Sequence, residues 1–230
     1  MMVSPNHDAR PSGQAITTLV LHYTGMQSGV AALERLCDPK AEVSAHWLVE
    51  EDGRRLALVP EDRRAWHAGL SSWRGQTGLN ACSIGIEIVN PGHEFGYHPF
   101  PAAQMEAVVS LCQEILRRHP DIRPEGVVGH SDIAPTRKQD PGELFDWPLL
   151  AAHGVGLFPH PPHPDLPPVP DPVEALAAIG YDVTEPDPAW NAFLRRFFPA
   201  AFGDGQQEHR LADAPPPTLR RLAAVRRLYP

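Results

Sequence analysis

At 230 residues the chain can bury a full hydrophobic core and leave a remainder for a smaller second unit. Its formal net charge of −8 argues against a nucleic-acid or anionic-membrane surface, both of which need clustered Lys and Arg. No apolar run has the form of a secretory signal or the length of a transmembrane segment, and Cys37, Cys82 and Cys112 are widely spaced without a CxxC pair. A cytoplasmic address follows as the expectation, or a periplasmic one if a leader has been removed.

Ile16 to Tyr23 is β-branched and almost continuously apolar, the pattern of a strand buried on both faces. His22 stands at its C-terminal end, the edge where open α/β sheets bind ligands, so it is either a site residue or a core histidine. A short helix is expected within 25–38, with Val30, Leu33 and Leu36 on its apolar face. Residues 42–60 read as a β-hairpin turning at Asp52-Gly53, a dipeptide that accepts positive φ. His46, in its first strand, reads as a sheet or pocket histidine rather than a fourth metal ligand. Residues 65–78 look irregular, with Trp66, His67, Trp73 and Arg74 among glycines; the tryptophans either wall a groove for a sugar or peptide or cover the core edge.

Ser83 to Asn90 is the second informative strand. Alternation sends Ile84, Ile86 and Ile88 to one face and Gly85, Glu87 and Val89 to the other. A lone carboxylate among isoleucines is expensive to bury in ionised form without a facing cation. Glu87 is therefore either half of a structural ion pair or a general base beside a metal, with Gly85 clearing room on its face. Residues 101–119 carry the clearest helix, with Met105, Val108, Cys112 and Ile115 at three- and four-residue steps. A short strand at 126–129 ends at His130, and 146–152 suggests a closing helix.

Eight prolines among the fifteen residues Phe158 to Pro172 predict a stiff linker and a domain boundary, with His160 and His163 solvated inside it. The remainder reads as three short helices, at 172–179, 188–198 and 217–228, with turns at Gly180-Tyr181 and Gly203-Asp204-Gly205. The expected organisation is a catalytic unit over 1–157, a linker over 158–172 and a helical domain over 173–230. The expected fold class is α/β: a mixed central β-sheet flanked by helices, plus a small three-helix C-terminal domain.

Chemistry concentrates between Gly129 and Gly142, where His130 and Asp140 lie ten positions apart and Lys138 shortly precedes the aspartate. Imidazole and carboxylate suit Zn²⁺, but a catalytic zinc needs three protein ligands and an open position. His22 is available as the third ligand and Glu87 as the base. If the loop is extended near its end, Lys138 and Asp140 point the same way and an ammonium stands beside the metal.

The blocks His22-Tyr23-Thr24, Ser44-Ala45-His46, Ala65-Trp66-His67-Ala68-Gly69, Ser83-Ile84-Gly85-Ile86-Glu87 and Gly129-His130-Ser131-Asp132 through Lys138-Gln139-Asp140-Pro141-Gly142 together resemble the zinc-dependent type-2 N-acetylmuramoyl-L-alanine amidases. Peptidoglycan recognition proteins share that fold. The tail around Ile179-Gly180-Tyr181-Asp182-Val183 is similar to the peptidoglycan-binding module appended in one branch of the family. The resemblance implies one Zn²⁺ per chain on His22, His130 and Asp140, Glu87 as general base, and Lys138 steadying the transition state. It also implies a peptidoglycan or muropeptide substrate, cut between N-acetylmuramic acid (or its 1,6-anhydro form) and L-alanine. Substrate contacts are expected among Tyr23, His46, Trp66, His67, Trp73, Arg74, Asn80 and Ser131. Asn80-Ala81 departs from the Asn-Asp often found there in the family. Two other readings use the same residues: a muropeptide-binding module that does not cut, and a zinc peptidase of stem peptides.

Overall fold

The apolar runs at 18–23 and 83–88 become neighbouring parallel strands in the computed structural model, which describes residues 3–159, 166–203 and 207–230. His160, His163 and the Asp204-Gly205 part of the expected turn lie outside the described residues. The strands along the chain are β1 (His7–Ala9), β2 (Thr18–Tyr23), β3 (Trp47–Val49), β4 (Arg55–Ala57), β5 (Arg63–Ala65), β6 (Ser72–Trp73), β7 (Gln76–Thr77), β8 (Ser83–Ile88) and β9 (Val127–Gly129). The helices are α1 (Gly29–Cys37), α2 (Gly92–Phe95), α3 (Ala102–Arg118), α4 (His130–Ile133), α5 (Trp147–Ala152), α6 (Pro172–Ile179), α7 (Pro186–Phe197) and α8 (Pro216–Arg226).

The central sheet has the order β4-β3-β8-β2-β9. Only the β3–β4 hairpin is antiparallel, and it turns at Asp52-Gly53 with Gly53 at φ 85°. This is the expected mixed sheet. Its strands obey the alternation rule. Leu19, Leu21, Ile84, Ile86 and Ile88 share one fully buried face, covered by Met105, Val108, Leu111, Cys112 and Ile115 of α3. Each such aliphatic side chain contributes about 1.5–3 kcal/mol when removed from water.

The other face carries Val20 and Val128, and beside them the polar side chains of the site. Its apolar part forms one cluster with Ala68, Trp73, Leu79 and Ile133, and with Leu176, Ile179, Trp190, Phe193, Phe197, Leu222 and Val225 from the C-terminal helices. Trp190 and Phe193 stack within it, ring centroids 5.3 Å apart. The prolines therefore precede a helical module whose buried side chains share one apolar cluster with this face of the sheet.

Two local expectations also change. Helix α1 is capped by the Ser28 hydroxyl, which accepts the Ala31 N–H, and it buries Gly29, Ala32 and Leu36; Val30, expected on the apolar face, is 66 % exposed. The irregular stretch 65–78 contains the β6–β7 hairpin, turned by Arg74 and Gly75 at φ 49° and 79°. Two successive positive φ angles are the signature of the tight hairpin turn.

Candidate metal and active site

Parallel pairing of β2 with β8 sets His22 directly opposite Glu87, and registered neighbours in a sheet point to the same face. On the other side of β2, β9 ends at Gly129 and hands over to His130, the first residue of α4. Three functional side chains thus gather at the C-terminal edge of adjacent strands. The fourth arrives on the loop after α4: the Ser131 N–H donates to the Asp140 carbonyl at 2.8 Å, and the Tyr97 hydroxyl donates to the Pro141 carbonyl at 2.7 Å. Gly142, at φ 84°, leaves the space that the Tyr97 hydroxyl occupies.

The donor atoms converge. His22 Nδ1 and His130 Nδ1 lie 2.9 Å apart, and each lies 3.1 Å from Asp140 Oδ2. All three residues are buried, and among the described residues they form a group able to hold a metal ion. The far nitrogens of the two rings are also held. His130 Nε2 faces the Ala68 carbonyl at 3.3 Å, and His22 Nε2 faces His67 Nδ1 at 3.0 Å. With Nε2–H donating outward, each Nδ1 lone pair is turned toward the shared centre. Burial, then the neighbouring His130, pushes His22 down to about 4, which keeps it neutral. Burial alone would raise Asp140, but His130 and His22 outweigh it and hold the carboxyl well below the usual range. Neutral imidazole and ionised carboxylate are the ligating forms.

The outer bond to His22 depends on a glycine. A Cβ at position 85 would stand 2.5 Å from His67 Cγ, so the room that Gly85 clears is filled by that ring. His67 Nε2 meets the Ser83 hydroxyl at 3.1 Å, and the Asn80 side-chain oxygen accepts the N–H groups of His67 and Ala68 at 3.0 and 2.7 Å. Asn80 thereby braces the loop that meets both histidines of the group.

Glu87 lines the same cavity, of about 360 Å³, as His22, Tyr23, Trp66, His67 and Lys138. Its Oε2 is buried with no hydrogen-bond partner. Burial, then the charge of Asp140, pushes its pKa well above the ordinary carboxyl value, against a smaller opposing pull from Lys138. A poised, unpartnered carboxylate oxygen next to a metal group is equipped to take a proton from water. Lys138 sits exposed at the rim.

Not every expected contact reaches the cavity. His46 is fully buried: its Nδ1 accepts the Gly85 N–H at 2.9 Å, its Nε2 faces the Arg63 carbonyl at 3.1 Å, and burial lowers it to about 4. It is a brace between strands, as the hairpin reading suggested. Trp73 donates its ring N–H to the Glu125 carbonyl at 2.9 Å and packs edge-on against Tyr181, centroids 5.1 Å apart. Arg74 donates to the Ile179 carbonyl at 3.2 Å. Both serve the junction with the helical module, because the loop's far side is covered by chain that comes 105 residues later. Ser131 is buried and acts through its backbone. Sequence reasoning missed Arg35 and Arg137, which line the cavity from α1 and from the loop before Lys138. For Arg35 the spacing of three from Ala32 on an amphipathic helix was the available signal.

Comparison with known proteins agrees with this geometry. The sequence profile of the N-acetylmuramoyl-L-alanine amidase family matches residues 12–143. N-acetylmuramoyl-L-alanine amidase AmiD of Escherichia coli (strain K12) is 41% identical over 207 residues, covering 78% of this chain and 73% of that protein. The 1,6-anhydro-N-acetylmuramyl-L-alanine amidase AmpD of Enterobacter cloacae is 38% identical over 161 residues, covering 63% of this chain and 83% of its own length. The solved complex of the E. coli AmiD amidase with anhydro-N-acetylmuramic acid-L-Ala-D-gamma-Glu-L-Lys superposes with a TM-score of 0.78 at 34% identity, covering 96% of this chain and 93% of that one.

Proposed function

Because this chain belongs to the N-acetylmuramoyl-L-alanine amidase family, a family of hydrolases that cut the amide between N-acetylmuramic acid and L-alanine, we propose that it acts on muropeptides, the 1,6-anhydro form included, in cell-wall recycling or turnover. One Zn²⁺ per chain is the metal this donor set favours. Two neutral imidazoles and one carboxylate leave a side open to the cavity, and donor separations of 2.9–3.1 Å approach the roughly 3.3 Å edge of a tetrahedral zinc site. When bound, the ion would supply Lewis acidity and lower the pKa of a water to roughly 7.

The chain's own residues do the rest. Glu87 accepts the proton of the attacking water at its buried Oε2 and returns it to the departing amine of L-alanine. Lys138 brings a positive charge to the oxygen on which negative charge develops. Trp66 and Tyr23 form apolar wall, so that water is displaced as the sugar–peptide junction enters. The observation that carries this reading is the convergence of three buried ligand atoms beside the unpartnered Glu87 oxygen.

We keep residues 173–230 as a peptidoglycan-binding-like module, packed on the catalytic part rather than tethered to it. A cytoplasmic address is what the three free cysteines favour, and no helix among the described residues is long and apolar enough to cross a membrane. Purified anhydro-muropeptides digested with the protein and read by mass spectrometry test the whole reading. Separation of the intact stem peptide from the sugar is expected. Cleavage inside the stem would point to a peptidase, and retention without cleavage to a binding module.

A further inference from the structure

Asp132 lies two residues beyond His130, fully buried, and takes no part in the chemistry above. Its carboxylate is held from three directions. One oxygen accepts the Gly129 N–H at 2.8 Å and the Arg196 guanidinium at 2.7 Å; the other accepts the Tyr181 hydroxyl at 2.7 Å. Arg196 also donates to the Val127 carbonyl at 3.0 Å and lies over the Trp147 ring, 4.1 Å from its centroid. Two of the three donors therefore come from the C-terminal module, and what they grip is the single turn of helix that begins with His130.

An ion pair buried this deeply gains little net stability, because desolvation offsets most of the attraction; apolar side chains of similar volume hold two units together at least as well. What a triply bonded carboxylate adds is direction. It fixes where α4 starts, and hence where the His130 ring stands relative to His22 and Asp140.

We propose that Arg196 and Tyr181 are positioning residues of the metal centre, acting through Asp132, so that the C-terminal helices complete the site rather than only adding a binding surface. This rests on the zinc-amidase reading. Hydrogen-bond partners that touch a metal ligand directly are worth about 10- to 100-fold in metal affinity; Arg196 and Tyr181 act one step further out, through Asp132, so the lower end of that range applies.

The test is zinc affinity of the full chain, measured by competition with a chromophoric chelator alongside thermal melting and steady-state kinetics. Wild type is measured first: absence of stoichiometric zinc or of amide cleavage overturns the functional reading itself. With wild type active, Tyr181→Phe and Arg196→Met should bind zinc about 10-fold more weakly. Both should lose kcat at limiting zinc with KM unchanged, and Arg196→Lys should recover most of the affinity. Leu222→Ala, which truncates a buried side chain in the same cluster, should lower the melting temperature yet leave affinity within about twofold. A folded Tyr181→Phe with wild-type zinc affinity overturns the proposal, as does a Leu222→Ala protein that loses as much zinc as Tyr181→Phe. Those two variants decide the matter even if Arg196→Met fails to fold.

Discussion

Gly85→Ala tests the outer hydrogen bond of the metal site with a single methyl group. The backbone there is ordinary strand, since Gly85 is not among the positive-φ glycines, so any effect is one of space. The new Cβ would stand 2.5, 2.6 and 2.7 Å from His67 Cγ, Nδ1 and Cδ2. Carbon contacts relax to about 3.5 Å, so the ring must retreat by roughly 1 Å. It has nowhere neutral to go. A retreat of that size, where it is directed away from His22, stretches the 3.0 Å link from His67 Nδ1 to His22 Nε2 to about 4 Å, beyond hydrogen-bond range. Overpacking of this kind costs about 1–3 kcal/mol, and a metal ligand released from its outer partner loses about 10- to 100-fold in affinity. Thermal melting reads the first effect, chelator competition and kcat/KM the second. Adding His67→Ala to Gly85→Ala should relieve the clash and recover stability while affinity stays low. Wild-type zinc affinity in Gly85→Ala would refute the reasoning, because His67 would then have no hold on His22.

Four further outcomes are expected. Glu87→Gln should lower kcat by about 10²- to 10⁴-fold, roughly 3 to 5 kcal/mol of barrier, with zinc content unchanged; full activity would make Glu87 a structural carboxylate. Elemental analysis should find about one zinc per chain, with activity lost in chelator and regained on adding zinc; activity indifferent to chelation would end the metal mechanism. Burial works to raise Glu61, but its bonds to Arg118 and His119 prevail and hold it at about 2, below the ordinary glutamate value of 4.5. A depressed carboxyl stabilises the fold above its unfolded pKa and loses that contribution as pH falls. Glu61→Gln should therefore cost at most about 3 kcal/mol in denaturant melts at pH 6, with the difference fading between about 4.5 and 2; a gap that persists at pH 2 would refute it. A chain ending at Leu157 should aggregate or melt far below the full protein, because Val20, Ala68, Val128 and Ile133 lose their cover; wild-type stability would restore the independent domain.

What the sequence disclosed follows from the range of the forces involved. His22 and Glu87 were legible because alternation in a strand is a local rule, and the edge at which a strand ends fixes where its last polar side chain stands. His130 and Asp140 were legible from residue chemistry in one short loop. The partners that orient them were not. Gly85 could be read as room without showing that His67 fills it, since the ring comes from a loop whose path is set by Asn80. For Trp73 and Arg74 the choice between groove wall and core cover stayed open, because an aromatic loop carries no mark of which side will later be covered. Asp132 stood in plain view inside the strongest motif, yet its partners, Tyr181 and Arg196, lie 49 and 64 positions away and announce themselves only as an ordinary tyrosine and one arginine of a helix end.

That arrangement has a consequence in time. A chain made from its N-terminus possesses every metal ligand once Asp140 is in place, but Arg196 comes 56 residues later. At about 5–20 residues per second, the growing chain spends roughly 3 to 11 s with its ligands complete and its brace unmade. During that interval α4 lacks two of the three bonds that Asp132 will make, and on the proposal above the site would gain its grip on metal only as the last helices dock. If zinc is the metal and Arg196 positions its site as proposed, loading would belong to the end of synthesis, and a chain interrupted within the helical module would hold the ion poorly.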